Sequence, residues 1–339
     1  MLLKSTVTAL VALTALAGIA APSTAAPDSA VVLGEPHAAA HAHNDYKHDR
    51  PLLDALAHGF TSVEADVWLV DGELRVAHDL VGARAGVTLE SLYLDPLDKL
   101  VRQQGHRVYP GWDGSLQLLI DIKSDGETTY AAVEKELAEH PALMARYANG
   151  KVSTGPVTAV ISGNRPLATM QAADKRFGFY DGRSADMASG MPTGLMPLVS
   201  DNWTKLFTWQ GFGPMPEAER ARLRAYVETA HAKGYRVRFW ATPDQPGAAR
   251  DSMWTELLNA GVDHINTDDL PALDRFLSAR AELFVLGAGL SAPGPRRLLT
   301  EGRFPEVKAG VIPVLAQDSI KADQACNELR ERPASGDES

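Results

Sequence analysis

S-V-E-A-D-V-W-L-V-D-G-E-L-R-V-A-H-D, residues 62–79, sets two acids, Glu64 and Asp66, inside an otherwise apolar, strand-like run. Residues at i and i+2 of a strand share a face, so the two carboxylates project together. Burying them side by side is costly unless a cation or hydrogen bonds compensate. A lone E-x-D is usually a solvated strand face, but the apolar flanks here argue against that. One histidine, His78, closes the segment, and A-H-A-H-N-D-Y at 40–46 places another, His43, before it.

Eight candidate strands follow from the pattern on either side: His37–Ala42, Ser62–Leu69, Leu116–Ile122, Val157–Ile161, Phe177–Tyr180, Leu198–Ser200, Arg236–Trp240 and His264–Asn266. Helical patterns alternate with them at Pro51–Ala57, Thr129–Glu139, Arg165–Ala172, Pro216–Lys233, Arg250–Ala260 and Pro271–Ala279. Gly59, Gly234 and Gly261 stand where helices end just before a strand. Alternation of this kind predicts an α/β fold, a TIM-type (β/α)8 barrel. The competing open, doubly wound sheet lacks its usual glycine-rich dinucleotide fingerprint. In a barrel, Glu64 and Asp66 face the lumen near the C-terminal rim, where barrel active sites lie. The spacing recurs in L-L-I-D-I-K, making Asp121 a candidate third carboxylate and Lys123 a candidate partner for phosphate oxygen. Such an oxygen-rich set suits one divalent cation, Mg²⁺ or Ca²⁺. His43 and His78, at strand ends, suit proton transfer near neutral pH.

The chain has 339 residues, of which 45% are hydrophobic, enough for a sizeable core. A formal net charge of -10 disfavours a nucleic-acid partner. Residues 1–26 read as a signal peptide: Lys4, an apolar run from Leu10 to Ala21, and small residues up to a cleavage point after Ala26. The expectation is a secreted, extracellular protein. Cys326 is the single cysteine, so no internal disulfide forms. No later stretch is apolar enough to span a membrane. The barrel is expected over 36–280, with a disordered or loosely packed tail over 283–339.

The first block, H-N-D-Y-x(4)-P-L-x-D-A-L-x-H-G-F-x-S-V-E-A-D-V-x-L-V-D-G-E-L-x-V-A-H-D, resembles the glycerophosphodiester phosphodiesterase superfamily, with its phospholipase C-like phosphodiesterases. It is most similar to the branch that holds altered inheritance of mitochondria protein 6. The resemblance implies catalytic histidines at His43 and His78 and metal ligands at Glu64 and Asp66. The family's E-I-K block appears as Asp121-Ile122-Lys123. F-W-A-T at 239–242 resembles the tryptophan block, placing Trp240 beside the site, and I-N-T-D-D-L at 265–270 resembles the closing strand. The family's arginine directly after the first histidine is absent. Asn44 stands there as a candidate metal ligand or phosphate donor, and Arg50 or Arg238 is expected to restore the charge.

The expected function is metal-dependent hydrolysis of a small-molecule or lipid phosphodiester by the two histidines. A phospholipase of C or D type on intact lipids is the enzymatic rival. It needs an apolar rim for transient membrane-surface contact, for which Trp203, Phe207, Trp209 and Phe212 are candidates; a loop packed on itself is the plainer reading of that cluster. A barrel that binds without turnover is the rival from another class.

Overall fold

The inward–outward alternation of side chains in the strands builds the fold. The computed structural model describes residues 31–288. Eight strands run parallel in one sheet: β1 His37–Ala42, β2 Phe60–Val70, β3 Leu116–Ile122, β4 Val157–Gly163, β5 Gly178–Gly182, β6 Leu198–Asn202, β7 Arg236–Trp240 and β8 His264–Thr267. Ala42 of β1 pairs with both Thr267 of β8 and Val63 of β2, so the sheet closes on itself. The closed barrel expected from the sequence is therefore the fold, and the open sheet is excluded.

The connecting helices are α1 Leu53–Ala57, α2 Asp95–Gln103, α3 Gly126–Glu139, α4 Leu167–Ala172, α5 Trp203–Leu206, α6 Glu217–Ala232, α7 Ala248–Asn259 and α8 Leu270–Ala288. After β5 there is only a short 3-10 turn, Ser184–Ala188. Local chemistry sets the ends. Asp125 caps α3 by accepting from the Thr128 amide, a contact worth about 1 kcal/mol. Gly59, Gly234 and Gly261 all take positive φ, as expected of helix-terminating glycines.

Several elements differ from the expectation, among them a small antiparallel sheet of Arg146–Ala148, Lys151–Ser153 and Lys175–Arg176 and the short helix α5. A short antiparallel strand, Glu73–Val76, folds back on β2 through the Asp71-Gly72 turn. Helix α2 was not among the expected elements, although Leu97, Leu100 and Val101 bury one face of it; it continues directly from a π-helical turn, Glu90–Leu94. The last helix, expected to end at Ala279, continues to Ala288. The expected boundary between barrel and tail at 280–283 thus falls inside α8, because Ala281, Glu282 and Leu283 are strong helix formers. The expected signal peptide, and the tail beyond residue 288, lie outside the described residues.

The barrel interior has two characters. Leu119, Val160, Phe179 and Leu198 form an apolar cluster with Ala145. Across from it runs a polar network. His41 Nδ1 and Gln117 Nε2 meet the Ser62 hydroxyl at 2.7 and 2.9 Å, and Arg236 donates to Gln117 Oε1 at 2.8 Å. Polar groups without water are tolerated only when paired, at a cost of roughly 1–3 kcal/mol for each partner lost. Among the described residues no helix is long and apolar enough to cross a membrane.

Candidate active site

Strand register assembles the acids. Glu64 and Asp66 share the inward face of β2, and Asp66 lies directly opposite Asp121 of β3. One carboxylate oxygen from each of Glu64, Asp66 and Asp121 falls within 4.8 Å of the others. Gly163, opposite Ile122 on the next strand, makes the space. Its φ is +65°, and a Cβ there would lie 2.0 Å from Asp121 Oδ1.

The electrostatics follow from this crowding. Burial pushes Glu64 upward, but the Arg238 guanidinium overrides it and holds the carboxyl well below its usual range. Burial raises Asp66, and the Glu64 charge adds to the rise. Burial takes Asp121 up to about 6, against the opposing pull of Lys123. Lys123 extends from the end of β3, with Nζ 3.2 Å from both Asp66 and Asp121. Burial disfavours its charge, but the two acids win and keep it protonated.

A divalent cation fits these residues. Asp66 Oδ1 is buried with no hydrogen-bond partner, while Oδ2 takes all that carboxylate's contacts. Those contacts are the Tyr46 hydroxyl at 2.7 Å, His78 Nδ1 at 3.1 Å and Lys123. Three acids with one free buried oxygen suit a hard, oxygen-seeking ion.

Above the acids, His43 leaves the end of β1 and its Nδ1 donates to Asp268 Oδ1 at 2.8 Å. Asn44 Nδ2 donates to the same oxygen at 3.2 Å. Burial would raise Asp268, but these hydrogen bonds and the His43 ring hold it down. Asn44 adopts φ 49°, a left-handed conformation that asparagine tolerates. Its Oδ1 accepts from Tyr46 at 2.9 Å, and Tyr46 also lies 3.3 Å from His78 Nδ1. One tyrosine hydroxyl thus touches groups from both histidine-bearing loops. His41, one layer below His43, meets Glu64 Oε2 at 3.2 Å; burial pushes its imidazole down to about 3, so it is neutral.

The structure therefore brings together His43, His78, Glu64, Asp66, Asp121, Asn44 and Lys123. Trp240 ends β7 in the inward row of Arg236 and Arg238, half-buried at the rim. Two expected phosphate cations are corrected. Arg238 is buried and donates to Glu64 Oε2 and, at 2.9 Å, to Asn266 Oδ1; its charge answers Glu64. Arg50 is exposed and pairs with Asp54 of α1. Of the aromatic cluster, Trp203, Phe207 and Trp209 are buried; the first two pack with Phe239 on the outer face of β7, and Phe212 alone is exposed. Sequence reasoning missed Tyr46 and Asp268. Both lie in loops just past a strand C-terminus, the one signal that could have marked them.

A closed barrel with acids, histidines and a lysine at its C-terminal mouth belongs to a phosphodiester hydrolase class, and two family models agree with it. Residues 35–181 match the AIM6-like phosphodiesterase domain, and residues 236–271 match the glycerophosphoryl diester phosphodiesterase family. An altered inheritance of mitochondria protein 6 homolog from Arthroderma benhamiae is 31% identical over 258 residues, covering 68% of this chain and 81% of the relative. Altered inheritance of mitochondria protein 6 from Eremothecium gossypii is 29% identical, covering 70% of this chain and 68% of the relative. A solved glycerophosphoryl diester phosphodiesterase from Parabacteroides distasonis superposes with a TM-score of 0.43 at 12% identity, covering 75% of this chain and 89% of that one. The chain belongs to the AIM6-like branch of the glycerophosphodiester phosphodiesterase superfamily.

Proposed function

We propose that the protein is a secreted, divalent-cation-dependent phosphoric diester hydrolase acting on glycerophosphodiesters or a related lipid-derived diester. The observation that carries this reading is that both histidines are tied to acids at one mouth: His78 and Tyr46 to Asp66, and His43 to Asp268. Glu64, Asp66 and Asp121 would hold the cation, Mg²⁺ or Ca²⁺, which when bound neutralises charge on the phosphate.

The chain's own groups do the rest. Lys123 offers a protonated amine to a phosphate oxygen. One histidine takes the proton of the attacking oxygen as the new P–O bond forms. The other gives a proton to the leaving alkoxide as the old P–O bond breaks. The attacking oxygen belongs to water or to a neighbouring substrate hydroxyl, which would give a cyclic phosphate first. The Asp268 carboxylate 2.8 Å from His43 Nδ1 favours the Nδ1–H tautomer, which leaves Nε2, approached by Asn44 Nδ2 at 3.4 Å, to exchange protons. The test is a panel of phosphodiesters assayed with Mg²⁺, Ca²⁺ and chelator. Cation-dependent turnover is expected. Equal rates with chelator overturn the cation site, and cation binding without turnover of any diester supports a binding barrel.

A second reading, action on intact phospholipids, is favoured by exposed Leu80 and Val81 just past His78 and by Phe212. Activity on vesicles above that on soluble diesters would select it. Secretion is tested by the N-terminus of the protein recovered from medium, expected at Pro27.

A further inference from the structure

Asn44 leaves the site without an arginine beside His43, and Arg50 and Arg238 are both engaged elsewhere. We propose that Arg183 is the residue whose guanidinium grips the substrate phosphate, an inference that rests on the phosphodiesterase reading above.

Arg183 follows β5 by one residue and lies two past Asp181, so both belong to the inward row at the C-terminal rim. Its anchor is a built one. Asp181 is fully buried and accepts from Ser162 of β4 and Ser200 of β6, each at 2.7 Å, and from Arg183 NH1 at 2.6 Å. Arg183 NH1 also meets Ser200 Oγ at 3.1 Å and the Gly182 carbonyl at 3.0 Å. Arg183 NH2 donates once, to Ser162 Oγ at 3.1 Å. Its backbone amide is fixed by Asp186 at 2.9 Å. Three neighbouring strands therefore hold one side of the fork.

The other side is open. The second NH2 hydrogen and the Nε–H meet no acceptor among the described residues, and the side chain is 26% exposed. A guanidinium presents donors in a planar fork that matches two phosphate oxygens. Position agrees, because Ser162, which Arg183 touches, is the strand partner of Asp121. Asp121 is also among the charges that favour protonated Arg183, after burial, which opposes it, and Asp181. A phosphate held at the acids and Lys123 thus has Arg183 two strands further round the rim, across β4. Arg165, also past a strand end, instead stacks on Tyr180 at 4.7 Å, a side chain of the outward row.

The test pairs calorimetric titration of inorganic phosphate, with Mg²⁺ present, with diester kinetics on the full chain. R183Q should weaken phosphate binding and raise KM by roughly 10- to 100-fold, with Mg²⁺ affinity unchanged. Because R183Q leaves buried Asp181 with the Ser162 and Ser200 hydroxyls but no counter-charge, R183Q/D181N supplies the same reading in a neutral pair. R183K should recover phosphate affinity only in part, having charge but no fork, and R165Q should behave as wild type. Unchanged phosphate affinity in the double variant, or no phosphate binding by the wild type, overturns the assignment. Arg183-dependent phosphate binding without hydrolysis of any diester upholds it and sinks the phosphodiesterase reading.

Discussion

Gly163 and Asp268 show how single residues control the acids and the histidines, one by lacking a side chain and the other by its carboxylate. A methyl group at Gly163 would strike Asp121 Oδ1 and strain a backbone at φ +65°. G163A should therefore cut turnover and cation affinity at least ~10-fold together, read by kinetics and calorimetry. Asp268 acts through His43. D268N should lower kcat by roughly 10²- to 10⁴-fold with little change in cation affinity, since an amide no longer fixes the ring tautomer. H43A and H78A should each abolish turnover while retaining the native circular dichroism spectrum; substantial activity in either would remove that residue from the reaction. Glu64, Asp66, Asp121 and Lys123 were legible because alternation along a strand is a local rule. Tyr46, Asp268 and Arg183 were not, because loop residues meet the site only once the barrel closes. Arg238 was misplaced for a related reason: alternation puts it in the lumen but does not say that Glu64 waits there.

The elements were read well where their signal was periodicity, and less well where it was contact. All eight barrel strands match expectation within a few residues, whereas the Glu73–Val76 strand depends on its pairing with β2. The loop after β1 is another case. Asp45 within H-N-D-Y turns away from the site and is fully buried, accepting from the Leu52 amide at 2.6 Å and the Tyr93 hydroxyl at 2.9 Å. It ties the Tyr46 loop to the turn before α2. Burial pushes its carboxyl up to about 7. The folded state thus binds a proton that the unfolded state has released above its own value near 3.8. This contribution is fully present below that value and is lost as pH rises through 7. Stability of the wild type relative to D45N should fall by about 4 kcal/mol between pH 4 and pH 8, measured by urea denaturation. A constant difference across that range would show that Asp45 stays ionised.

At the scale of the whole molecule, the acid cluster couples ligand binding to folding. The Glu64, Asp66 and Asp121 charges repel one another, so a cation that binds only the folded state should stabilise it by about 2.7 kcal/mol at 100 times its Kd. That corresponds to a rise in Tm of roughly 5 °C for a domain of this size. D121N should lose most of the rise, and an equal rise in D121N would place the cation elsewhere. The barrel's closure has a further consequence for how the chain is made. Glu64 and Arg238 are 174 residues apart in sequence, and Arg236 and Gln117 are 119 apart. During synthesis the first strands emerge long before their counter-charges exist. The nascent N-terminal half carries an acid that has no proper burial until β7 arrives. A chain cut short before Arg236 lacks the guanidinium that pairs Glu64, so closing the barrel around that carboxylate would bury a charge without its partner.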